Sequence, residues 1–190
     1  RTLLGQIDGM LGRQGLTPAD IGLVAVGRGP GGFTGIRVGM ATAAGMALGL
    51  GATVWPVDSL AVLARHAAGH QGIVMPLIDA RKSEVYGAAY RVPLDAPPER
   101  VAEPRVGPRD EVVGALCELA GDPSPLIFGS GAVVYGGASA VPPAWHVPCA
   151  GATGWLAAMA WEAAGRQAEG APSIDPVYIR PSDAELNAAS

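Results

Sequence analysis

The stretch IGLVAVGRGPGGFTGIRVGMATAAGMALGL, residues 21–50, constrains the fold more than any other part of the chain. It opens with a continuous apolar run of strand length, IGLVAVG, the pattern of a strand covered on both faces in a parallel sheet. A turn dense in glycine follows, and IRVGMATAAGMALGL then carries a helix to about Leu50, with Thr34 as its expected N-cap and Gly49 and Gly51 at its end. A buried strand leading through a tight turn into a long helix is the unit of a layered α/β fold.

The rest of the chain extends that pattern. Leu4, Ile7, Met10 and Leu11 have helical spacing over residues 3–15, and ATVWPVD reads as a second short strand. Asp58 and Ser59 cap a helix over residues 59–69. At GIVMPLIDARKSEVYGAAYRV the pattern changes to a β-hairpin with ARKSE as its turn, which divides a first lobe (1–72) from a second (73–190). The proline-rich segment 93–108 is expected to be connector, followed by a helix from Asp110 through Leu119. PLIFGSGA reads as another buried strand, and Ala152 to Gly165 as an amphipathic helix carrying Trp155, Met159 and Trp161.

Composition removes several function classes. Net charge is −4, the single lysine is Lys82, and the twelve arginines are scattered, so no basic stripe for unaided nucleic-acid binding is visible. Cys117 and Cys149 stand apart, which suggests neither a zinc site nor a disulfide framework and fits a reducing, cytoplasmic setting. Residues 38–57 hold no charge, but their Gly, Ala and Thr content and Pro56 argue against a membrane span. The chain starts at Arg1 within a helical pattern, so an N-terminal segment is expected to be missing.

The glycine turn raises the question of a phosphate. Gly27, Gly29 and Gly32 fit GxGxxG after a strand, and Asp58 would be the ribose-binding acid of a nicotinamide-dependent dehydrogenase. Pro30 inside the turn, the late position of Asp58 and the interposed GFTG oppose that reading. A Walker loop fails because no Lys-Ser or Lys-Thr follows. Gly27, Gly29, Pro30, Gly31 and Gly32 are therefore read as a structural loop.

The helix after the turn carries its own puzzle. Gly35 and Gly39, then Gly45 and Gly49, form two GxxxG pairs with Ala43 and Ala47 between them. Three interior glycines give up roughly 3 kcal/mol against alanine, which close packing must offset. Spacing alone favours packing within the chain's own core, with a partner surface as the sharper alternative. Arg37, a cation in the first turn, is expected either to face an acid or to lie exposed over glycine-rich surface.

The ordered set GRGPGGFTGIRVG, WPVDSLAVLA, LIDARKSEVY, GSGA and PVYIR resembles the bacterial TsaB (YeaZ) family over nearly the whole chain. The resemblance implies an ASKHA fold, related to actin, Hsp70 and sugar kinases, with two ribonuclease H-like lobes and a strand meander ahead of the first helix. It implies a non-catalytic subunit of the machinery that makes N6-threonylcarbamoyladenosine in tRNA, paired with the catalytic relative TsaD and joined by the ATPase TsaE. It further implies homodimers through the same helices when TsaD is absent, only indirect contact with tRNA, and no cofactor. The contact helices carried over are 34–50 and 59–69, which nominates Gly35, Arg37, Gly39, Met40, Ala43, Met46, Ala47, Leu60, Leu63, Ala64 and Ala67.

Where TsaD has metal-ligating histidines, this sequence has Asp58, Ser59 and Leu63. His66 and His70 form HxxxH without an evident third ligand and read as surface residues rather than a metal pair. Asp79, Arg81 and Glu84 read as a charged hairpin turn. An active kinase or transferase of the same fold is the main alternative; a glycoprotease has no nucleophile with a base to support it.

Overall fold

The computed structural model describes residues 2–167, 170–177 and 179. In chain order the regular elements are α1 (Leu3–Arg13), β1 (Leu23–Gly27), α2 (Phe33–Leu50), β2 (Thr53–Val57), α3 (Ser59–Ala64), β3 (Val74–Arg81), β4 (Glu84–Arg91), β5 (Glu99–Pro108), α4 (Arg109–Ala120), β6 (Leu126–Phe128), α5 (Ser130–Tyr135) and α6 (Ala150–Ala163). Short 3-10 turns occupy Pro18–Asp20, Arg65–Ala67 and Pro143–His146.

Alternation along each strand sorts side chains between two helical layers. In the first sheet β1 and β2 run parallel, from Leu23 beside Thr53 to Gly27 beside Val57. Val24, Val26 and Val54 meet Ala43 and Ala47 of α2. Leu23, Ala25, Trp55 and Val57 face the other way, against Leu156 and Ala157 of α6.

The second sheet has the order β5-β4-β3-β6, with β3 antiparallel to β4 and parallel to β6. Met75, Leu77, Val85 and Ala89 pack against Val112 and Leu116 of α4 and Ala132 of α5. Val74, Ile78, Ala88 and Tyr90 face α3.

Helix α3 belongs to both cores. Leu60, Leu63 and Ala64 pack on the second sheet, whereas Val62 joins Trp55 and Leu156 in the first. Fully burying a leucine contributes about 1.5–3 kcal/mol, so this six-residue helix owes its stability to tertiary packing rather than length.

Three expectations require correction. The segment 93–108 is not all connector, because its last ten residues form β5. As an edge strand β5 tolerates Pro104, where the pairing slips between Gly87–Arg105 and Ala89–Ala102. The N-cap of α2 is Gly32, not Thr34. The helix expected over 59–69 is α-helical only to Ala64 and tightens into the 3-10 turn Arg65–Ala67.

Helix α2 ends at Gly51, whose left-handed backbone (φ 65°) suits a residue without Cβ. With 18 residues and a mean hydropathy of 1.3 it is long and apolar enough to cross a membrane, but here it forms one layer of the first sheet.

Candidate partner interface

The glycine loop is held by its own chain. Gly29 carbonyl accepts the Ser59 N–H at 2.8 Å, Arg28 N–H donates to Val57 at 2.9 Å, and Val177 N–H donates to Arg28 carbonyl at 2.8 Å. Gly29 sits at φ 101°, and a Cβ there would lie 3.0 Å from both Ile36 Cδ1 and the Val177 carbonyl oxygen. Pro30 is fully buried. The close backbone approach that a dinucleotide fingerprint reserves for pyrophosphate is thus made here to the Val177 segment.

Asp58, the other half of the nicotinamide reading, is committed elsewhere. Its Oδ1 accepts the N–H groups of Leu60 (2.8 Å) and Ala61 (3.0 Å), capping α3. Its Oδ2 accepts from Arg100 Nη2 at 3.0 Å. Burial first, and then the Asp58 carboxylate, push the Tyr90 phenol well above its ordinary pKa, so this side chain keeps its proton beneath the ion pair.

The residues nominated for a partner surface do not share one face. Leu60, Leu63 and Ala64 are 0% exposed and Ala67 is 2%, all inside the core under the second sheet. Met40, Ala43 and Ala47 form the inner side of α2, the last two against the first sheet. These seven, expected at a surface, are buried within their own chain and leave little area for another. Gly39 is half-buried, its notional Cβ 4.0 Å from Val26.

Gly35, Arg37 and Met46 remain at or near the surface. The outer side of α2 also presents three residues that sequence reasoning missed: Val38 (61% exposed), Ala41 and Leu48 (87%). Positions 34, 38, 41, 45 and 48 recur at helical spacing, which was the available signal. A Cβ on Gly35, Gly45 or Gly49 would meet nothing within 4 Å, so the chain's own packing does not explain these glycines. The Arg37 guanidinium lies 3.7 Å above the Phe33 ring.

Helix α1 completes the surface. Only Leu11 is buried, while Leu3, Leu4 and Met10 are each more than half exposed. Between α1 and α2 lies an apolar cleft of about 320 Å³ lined by Leu4, Ile7, Leu11, Gly45, Met46 and Leu50.

The remaining candidates occupy structural contacts. His66 stacks on Trp145 with ring centroids 6.3 Å apart and its Nε2 lies 3.1 Å from the Val147 carbonyl, so it is packed rather than a plain surface residue; His70 is exposed. Asp79 accepts from Tyr135 Oη (2.9 Å) and from Arg81 N–H (2.8 Å), and pairs with the Arg81 guanidinium at 3.2 Å. That hydrogen bond to Asp79 raises the Tyr135 phenol pKa. Cys149 Sγ accepts the Ala152 N–H at the start of α6. Among the described residues no trio of His, Cys, Asp or Glu gathers as a metal site. In the closing PVYIR, Tyr178 and Arg180 lie outside the described residues.

Comparison with known proteins gives a consistent grouping. A family profile described as "TsaD: tRNA N6-adenosine threonylcarbamoyltransferase" matches residues 1–102. An uncharacterized protein of Mycobacterium tuberculosis is 34% identical over 173 residues, covering 90% of this chain and 69% of that one. The Escherichia coli protein named "tRNA threonylcarbamoyladenosine biosynthesis protein TsaB" is 40% identical over 91 residues, 47% of this chain and 39% of its own. A Mycobacterium leprae protein is 42% identical over 109 residues, 57% of this chain but 28% of its own, so the chain spans well under half of either of these last two relatives. The solved structure of YeaZ from Pseudomonas aeruginosa superposes with a TM-score of 0.70 at 29% identity, covering 93% of this chain and 82% of that chain. The mixed α/β fold is of the ASKHA type, and the chain belongs to the TsaB (YeaZ) family.

Proposed function

We propose that this chain is a cytoplasmic, non-catalytic scaffold subunit in the biosynthesis of N6-threonylcarbamoyladenosine in tRNA. It pairs with TsaD, with TsaE joining the pair, and touches tRNA only through them; the same surface supports self-association when TsaD is absent. The observation that carries this reading is the outer side of α2, where Val38 and Leu48 project into solvent beside glycines that no intrachain contact requires. Such a surface buries apolar area and lets a second backbone come close, the two properties a helix-to-helix docking face needs. Family membership supplies the pathway, since the relatives that carry the TsaB name are named for threonylcarbamoyladenosine biosynthesis.

The test is co-purification with a TsaD from a TsaB-containing bacterium. Leu48→Asp places a charge on the most exposed apolar residue of the face and is expected to weaken the complex at least tenfold while leaving the thermal midpoint of the isolated chain unchanged, because Leu48 touches little of its own body. Retention of a tight complex by Leu48→Asp together with Val38→Asp overturns the docking face. Threonylcarbamoyl transfer to tRNA by this chain alone overturns the non-catalytic role.

A further inference from the structure

Among the described residues, several ion pairs are local, and Arg100–Asp58 joins distant parts of the chain. Arg81–Asp79, Arg100–Glu103, Arg109–Asp110 and Arg166–Glu162 each join residues within four positions, whereas Arg100–Asp58 joins residues 42 apart. Asp58 stands at the end of the first sheet, immediately after β2, and Arg100 stands on β5, the outer edge of the second.

The chemistry of each partner suits a tie between the two sheets. The two Asp58 oxygens have separate tasks: Oδ1 caps α3 and Oδ2 takes Arg100. Its side chain is only 12% exposed and that of Arg100 34%, so the pair is less screened by water than an ordinary surface bridge. Arg100 also pairs with Glu103 at 3.2 Å and lies 5.9 Å from the ring of Tyr90, itself 1% exposed. Strand β5 needs such a tie: it is the sheet's edge, its register slips beside Pro104, and only one side of it is paired.

We propose that Arg100 is a latch that holds edge strand β5 to the capped end of α3, so that the two sheets keep one relative orientation. With the latch made, β5 stays fixed to the end of the first sheet at Asp58. With it broken, β5 frays and the segment joining the sheets, residues 68–73, gains motion.

Asp58→Asn separates the latch from the cap, because asparagine retains an Oδ1 acceptor for α3 but loses the charge that holds Arg100. Arg100→Met keeps an apolar stem over Tyr90. The experiment measures urea stability for both single variants and the double, together with amide exchange. The latch predicts that the double variant falls clearly short of the sum of the singles. It also predicts that amides of residues 99–103 and 68–73 exchange roughly fivefold or more faster in each single variant. Additive stability effects, or unchanged exchange in those two segments, overturn the proposal. If Arg100→Met does not fold, Arg100→Gln carries the same comparison. The TsaD complex of Leu48→Asp reads the docking face independently, so failure of one idea leaves the other standing.

Discussion

At the scale of single residues, glycines divide by what surrounds the missing Cβ. Gly45 faces open space in the middle of α2, so Gly45→Ala is expected to stabilise the isolated chain by about 1 kcal/mol in urea denaturation, through helix propensity alone. Gly129 is the opposite case, with φ 108° and a Cβ position that runs into the Leu77 carbonyl oxygen. Gly129→Ala is expected to cost about 2 kcal/mol or more in the same measurement. The glycine-rich turn reads in the sequence as a structural loop because its competing motifs are incomplete. The contact that fills it was not legible, since nothing in residues 27–32 announces that Val177 returns to them from the far end of the chain.

At the scale of elements, the two sides of α2 should respond oppositely to bulk. Ala43 is 6% exposed and packs with Val54, so Ala43→Trp overfills the seam between helix and sheet and is expected to cost about 1–3 kcal/mol in a thermal or urea melt, with pairing lost as a by-product. Leu48→Asp, on the outer side, acts on association without that loss. These sides could not be told apart from sequence, because α2 carries small apolar residues all around and offers no polar stripe to mark the solvent side. In α3 the signal was present but outweighed by family resemblance: SLAVLA is apolar on every side, the mark of a buried helix. Strand β5 was hidden by its prolines and charges, which suit an edge and disguise a strand. The apolar runs of β1, β2 and β3 were plain, since strands covered on both faces have no need of polar alternation.

At the scale of the whole molecule, α3 is the common wall of two cores, and the halves are expected to unfold together. Leu63→Ala should cost about 2–5 kcal/mol and lower the transitions followed by tryptophan fluorescence and by far-ultraviolet circular dichroism to the same midpoint. Two separated transitions would show that α3 does not couple them. The α/β class and the order of most elements followed from sequence pattern, whereas this sharing did not: a helix of six residues cannot show, by its own periodicity, that it faces two sheets. The Val177 crossing adds a last tie of a different kind. It staples Val177 to the loop from which α2 departs, so a cut in the backbone between Ala171 and Val177 would be felt in the aim of the very helix that the docking face is built on.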